Sequence, residues 1–342
     1  MQKTLVLVDD PLFSEHLAPA GHPERPERLH AARAAIARAD FDLQRTDLAT
    51  RSATDDELVR VHDESYLIKL GQAAGQVGYF DEDTFFSPQS VAAARAGAGA
   101  AMVITDALLD HRADFGFALL RPPGHHARPS GAMGFCLLNN VAIAAAHARA
   151  RGVERVAIVD FDVHHGNGTQ EMFYADPSVL FISLHQSPLY PGSGAADETG
   201  RGDGRGYTVN VPLSPGASDA AYGAAIERIV APVLESYRPN LLLFSAGFDA
   251  HLRDPLAQME LTDDGFRAIV RRTLGALEPG VPVGMTLEGG YDLAGLGSSL
   301  GAVLIGLGEG PIHEIPAERL WQAHERDLRA AAAAAAELWK LG

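Results

Sequence analysis

The sequence predicts an α/β fold with a mostly parallel sheet. Three observations predict it. Short, near-continuous apolar runs recur along the chain, as expected of strands covered on both faces. Helix-like stretches alternate with those runs. The unusual polar residues fall just after the runs, where open parallel sheets bind their ligands.

The elements follow in chain order. Residues 4–9, TLVLVD, read as a first strand. The run meets acids at once and lacks the length and cleavage site of a signal peptide. Residues 26–39 read as a helix with Pro26 near its start, where a missing N–H is tolerated. Residues 88–109 form a long Ala/Gly-rich helix suited to close packing, and residues 115–119 a strand. Residues 139–149 look helical. Residues 155–160, 179–185, 240–247 and 281–290 are the clearest strands. Helical segments near 219–236, 262–276 and 292–307 separate or follow them. The tail carries AAAAAAEL, and alanine is the best helix former, so residues 323–340 are expected to be a terminal helix. No internal repeat and no Pro/Ser-rich linker divides residues 1–342, which read as one domain.

Composition narrows the function. A hydrophobic fraction of 46% supplies a sizeable core and argues against global disorder. No run nears the roughly 18 consecutive apolar residues of a membrane span, so no membrane partner is expected. A formal net charge of −16 argues against a nucleic-acid face. That charge serves solubility, or attracts cationic substrates such as lysine-rich peptides or polyamines. The lone Cys136 excludes an internal disulfide and a structural cysteine-type zinc site. It reads as buried packing, and the chain as cytoplasmic. A homo-oligomer is compatible with the sequence.

Four strand ends carry the chemistry. Residues 155–160 run into FDVHHGNGTQ, 240–247 into FDAHLRDPL, 281–287 into EGGYD, and 115–120 into RPPGHHARPSGAMGF. Asp160, Asp162 and His164 alternate, and side chains at i and i+2 of an extended segment share a face. Asp162 and His164 can therefore reach one metal, with Asp249 the candidate third ligand. Two carboxylates and one imidazole leave a position open for water, the catalytic type of zinc site. The set also suits Fe(II), Co(II) or Mn(II). The plain alternative is buried, hydrogen-bonded polar residues at strand ends, and for this motif alone the two readings are evenly matched. His125 and His126 are adjacent in a Pro/Gly-shaped loop. Two close imidazoles resist double charging, so one can stay a neutral base. Tyr291 follows a Gly pair and can donate to a developing oxyanion; alone, Gly-Gly-Tyr means only a turn.

These residues match a family. RPPGHHA (121–127), GFCLLNN (134–140), DFDVHHGNGTQ (160–170), SLH (183–185), SAGFDAHLRDPL (245–256) and LEGGY (287–291) resemble the zinc-dependent histone deacetylases, as does HPERPERL (22–29). Acetylpolyamine amidohydrolases share the superfamily. The resemblance runs from about residue 20 to 310, and its spellings are closest to class II enzymes and bacterial relatives.

The resemblance implies an arginase/deacetylase-type single domain, with an eight-stranded parallel sheet flanked by helices. It implies zinc on Asp162, His164 and Asp249, and His126 as general base with His125 as partner. Asp160 would orient His125, Asn167 would sit behind His126, and Tyr291 would polarise the scissile carbonyl. It also implies structural potassium. One site would use Asp160, Asp162, Ser183 and the carbonyls of His164 and Leu184. The other would use main-chain groups at Phe173, Asp176, Val179 and Tyr207. Phe135 and Tyr190 match the walls of an acyl-lysine channel, with Gly134, Gly289 and Leu256 beside it. The implied activity is hydrolysis of N-acyl amides, acetyl-lysine side chains or similar acylated amines. The alternative is an acetylpolyamine amidohydrolase, and the remote one a non-catalytic acyl-lysine binding protein. Polyamine-specific class II relatives place Glu after the Asp-Pro of this motif, whereas Asp254-Pro255 is followed here by Leu256.

Overall fold

The apolar runs become strands, and their burial follows from what covers them. The computed structural model describes residues 2–312 and 320–341. Ten strands are present among them: β1 (Thr4–Asp9), β2 (Gln44–Leu48), β3 (Gly78–Tyr79), β4 (Phe85–Phe86), β5 (Phe115–Leu119), β6 (Val156–Asp160), β7 (Val179–Gln186), β8 (Thr208–Leu213), β9 (Leu241–Ala246) and β10 (Val283–Leu287). Eight of them form one sheet in the order β2-β1-β5-β10-β9-β6-β7-β8. Every pairing in that sheet is parallel. β3 and β4 form a separate antiparallel hairpin. Parallel strands need crossovers, which put helices on both faces. Hence β5, β6, β7, β9 and β10 are buried along their whole length.

The sheet order explains why four loops converge. β5, β10, β9 and β6 are consecutive neighbours at its centre. Their carboxyl ends therefore release the 120–136, 288–292, 247–256 and 161–167 segments side by side. Caps hold the helices that begin just beyond. The Asn139 side chain accepts from Ala142 N at the start of Asn140–Ala150, and Asp292 accepts from Gly295 N at the start of Leu293–Glu309.

One expectation is corrected. The terminal helix spans Gln322–Ala335, shorter than residues 323–340. Residues 336–338 are a turn, after which Trp339 packs edge-on to Tyr207 and Tyr237 and its indole N–H donates to the Gly206 carbonyl at 2.8 Å. The helix Ser90–Leu109 is long and apolar enough to cross a membrane, although no unbroken apolar run suggested one. Most of it is buried inside the protein, as in a core helix.

His62 ties a site loop to the fold. Its Nε2 accepts the Asn139 N–H and its Nδ1 donates to the Arg128 carbonyl, each at 3.0 Å. Burial outweighs those bonds and lowers its pKa from 6.5 to about 4. The unfolded chain thus binds a proton below pH 6.5 that the folded chain refuses until about pH 4. Stability is expected to fall on acidification through that window. The His62 share is roughly 2 kcal/mol between pH 7 and pH 5. Urea unfolding of wild type and His62→Gln at the two pH values checks it: the wild type should lose about that much more. Equal losses would remove His62 from the account.

Candidate active site

The metal ligands meet because β6 and β9 are neighbours. Asp160 pairs with Ser245 in register, so the segments after them run together. His164 Nδ1 lies 3.2 Å from Asp162 Oδ1 and 3.1 Å from Asp249 Oδ2. All three residues are buried, and their ligand atoms lie within 4.8 Å of one another. Backbone N–H groups hold the carboxylates in place. Val163 N donates to Asp249 Oδ1 at 2.9 Å, and Gly289 N to Asp162 Oδ2 at 2.7 Å. A Cβ on Gly289 would collide with both carboxylates, so that close approach requires glycine. One imidazole nitrogen carries at most one hydrogen, yet two carboxylates face it. A cation satisfies this arrangement, and two oxygens with one nitrogen suit zinc.

The two histidines divide their partners. His125 Nδ1 lies 3.0 Å from Asp160 Oδ2, and His126 Nδ1 lies 2.8 Å from Asn167 Oδ1. Their rings sit 4.0 Å apart. Burial alone would lower His125, but the charges of Asp160 and Asp162 outweigh it and hold the imidazole at about 10. Burial, then the neighbouring His125 and His164, push His126 well below 6.5. With Asn167 accepting from Nδ1, His126 keeps Nε2 free as an acceptor. Gly134, at φ 55°, lies under the His126 ring, which leaves no room there for a Cβ.

Aromatic rings surround this centre. Tyr190 stands edge-on to His126 at 5.2 Å and to His164 at 6.3 Å, and is itself 39% exposed, at the surface end. Phe135 stands edge-on to Tyr291 at 6.0 Å. Its φ of 67° is unfavourable for a side chain of that size. Its N–H donates to Thr84 Oγ1 at 3.2 Å, and His22 packs against its ring. Leu256 is half-buried on the loop whose Asp254 binds the Tyr291 N–H at 2.6 Å. Burial holds the Tyr291 phenol well above its ordinary pKa, so the hydroxyl keeps its proton.

Some of the residues named for potassium are neighbours. Asp160 pairs with Ser183 in register, and Gln186 N donates to the Val163 carbonyl at 2.8 Å, so the ends of β6 and β7 run together. Ser183 Oγ lies 2.9 Å from His185 Nδ1. Phe173, Asp176 and Val179 form consecutive turns, and the Tyr207 carbonyl accepts from Phe181 N at 2.9 Å. Cys136 is fully buried and its thiol is raised by burial, which suits packing rather than nucleophilic chemistry.

Sequence reasoning passed over several charged residues that brace the site. Glu24 is fully buried between Arg121, Arg28 and His16. Burial would raise its carboxyl, but Arg121 and His16 hold it well below the usual range. Arg28 lies 5.0 Å over the Tyr291 ring and donates to the carbonyls of Gly290 and Glu288. The available signal was charge inside HPERPERL and at Arg121, next to a strand end.

Comparison with known proteins supplies the family. The histone deacetylase domain matches residues 22–307. The chain belongs to the histone deacetylase domain family. Histone deacetylase 15 of Arabidopsis thaliana is 43% identical over 302 residues, covering 86% of this chain and 54% of that protein, so the chain spans about half that relative's length. A histone deacetylase-like amidohydrolase of Pseudomonas aeruginosa is 43% identical over 284 residues, covering 81% of this chain and 74% of that one. The crystal structure of the HDA15 HD domain superposes with a TM-score of 0.92 at 38% identity, over 98% of this chain and 95% of that one. The eight-stranded histone deacetylase sheet is thus shared along nearly the whole chain.

Proposed function

We propose that the protein is a zinc amidohydrolase that cleaves N-acetyl and similar N-acyl amides to a carboxylate and a free amine. One observation carries the reading: Asp162, His164 and Asp249 converge beside a His125–His126 pair in a buried site of the histone deacetylase family. Zinc held by those three residues would act as a Lewis acid and lower the pKa of a water toward about 7. His126 Nε2 is placed to take a proton from a water attacking the acyl carbon. Tyr291 donates from its hydroxyl to the oxygen on which charge develops. The C–N bond then breaks, and a histidine of the pair returns a proton to the leaving nitrogen. Phe135 and Tyr190 would flank the substrate's apolar stem, with Gly134, Gly289 and Leu256 nearby. Fe(II) or Co(II) would fit the same ligands. Potassium would brace the strand ends at the two sites named above.

The acylated amine is read as an acetyl-lysine side chain or a similar small amide. Leu256 follows Asp254-Pro255 and offers no partner to a distant ammonium. Losing such a contact costs a polyamine roughly 1.5–3 kcal/mol. A higher kcat/KM is therefore expected on an acetyl-lysine peptide than on N8-acetylspermidine. Measuring both on one zinc-loaded preparation decides it. A tenfold preference for acetylspermidine would reverse the substrate reading and leave the amidohydrolase reading intact.

A further inference from the structure

Glu288 is a buried carboxylate to which the proposed chemistry assigns no step. It follows β10 directly and is fully buried. Among the described residues no lysine or arginine forms an ion pair with it. Its Oε2 accepts two main-chain N–H groups instead, Gly124 at 2.6 Å and His125 at 3.1 Å. Its Oε1 lies 3.3 Å from the Thr286 hydroxyl. Burying a carboxylate costs several kcal/mol unless hydrogen bonds offset it. The two main-chain bonds run to one place, the loop that begins the histidine pair.

The main chain of Glu288 has other partners. It opens the loop that ends on Tyr291, and each residue of that loop is held. Arg28 donates to the Glu288 carbonyl and to the Gly290 carbonyl. Gly289 N bonds Asp162 and Tyr291 N bonds Asp254. One residue therefore joins the histidine loop to the tyrosine loop. We propose that Glu288 is a positioning residue, whose carboxylate holds the backbone at Gly124 and His125 at a set distance from the loop that carries Tyr291. It touches neither substrate nor metal. What it sets is the spacing between the groups that move protons and the group that receives the oxyanion. Reacting groups are sensitive to such spacing, and about 1 Å of misplacement can cost about 10²-fold.

The proposal rests on the amidohydrolase reading, and two variants test it. Glu288→Gln keeps an acceptor oxygen at the same reach and drops the charge. Glu288→Asp keeps the charge and withdraws it by one methylene. On an acetyl-lysine amide, kcat of Glu288→Gln is expected within about fivefold of wild type. Glu288→Asp should lose kcat by up to about 10²-fold. Its KM and zinc content should stay near wild type, and amide hydrogen exchange should quicken across residues 121–127. Wild-type kcat in both variants would overturn the proposal. So would a Gln variant poorer than the Asp variant, which would make charge the cause. Loss of folded, zinc-loaded protein in both would assign the carboxylate to stability alone and also overturn it. A wild type that cleaves no N-acetyl amide would sink the functional reading instead. The exchange comparison would then still decide whether Glu288 holds the histidine loop.

Discussion

Asp249→Ala is expected to lose zinc and turnover together. Asp249 reaches the centre from β9, while Asp162 and His164 come from the end of β6. Its Oδ2 is 3.1 Å from His164 Nδ1, and it is fully buried. Removing it takes away one of three ligands and leaves Asp162 with a single imidazole partner. Loss of an outer partner alone costs about 10–100-fold in metal affinity, so loss of a direct ligand should exceed that. Metal analysis of the purified variant after dialysis checks the first half, and turnover of an acetyl-lysine amide the second. Full zinc occupancy with normal turnover would remove Asp249 from the ligand set.

Tyr291→Phe is expected to separate binding from chemistry. The ring is placed by Arg28 against its face and by the Asp254 bond to its backbone, and neither contact needs the hydroxyl. The variant should therefore fold, hold zinc and bind substrate with KM nearly unchanged. Its kcat should fall by about 10²–10³-fold, the usual cost of one oxyanion donor. A variant that keeps more than half of wild-type kcat would remove the hydroxyl from the mechanism.

The fold was legible where burial writes a pattern. β5, β6, β7, β9 and β10 are covered on both faces, so each reads as an apolar run. β2, QRTDL, is exposed or half-exposed throughout and pairs only with β1 at the sheet's edge. Its order comes from backbone pairing, which leaves no side-chain signature. β8 is the opposite edge and contains Pro212, a residue that argues against a strand except at an edge. The terminal helix was overextended because alanine favours helix in any setting, whereas Trp339 is held by tertiary contacts.

The site was legible for a different reason. Its ligands alternate along one strand end, and its loops follow four strands that the sheet order makes neighbours. Those groups could be named from residue types alone. Their supports could not. Glu24, Arg28 and Arg121 are charged residues that a composition-based reading places in solvent, yet all three are fully buried. Glu24 pairs with both arginines, and main-chain carbonyls take their remaining donors, a long-range arrangement that joins residue 24 to residue 121. Glu288 and Asp254 stood inside recognised motifs, but their partners are backbone N–H groups, which carry no residue identity.

A single zinc ion on Asp162, His164 and Asp249 is proposed to make this protein an amide hydrolase. Titrating zinc into metal-stripped wild-type protein, while following acetyl-lysine amide hydrolysis, tests it most directly. Turnover should be near zero in the stripped protein, rise in proportion to added zinc, and level off at about one equivalent, as the single three-ligand site requires. Undiminished hydrolysis by the stripped protein, or no hydrolysis at any zinc level, would contradict it.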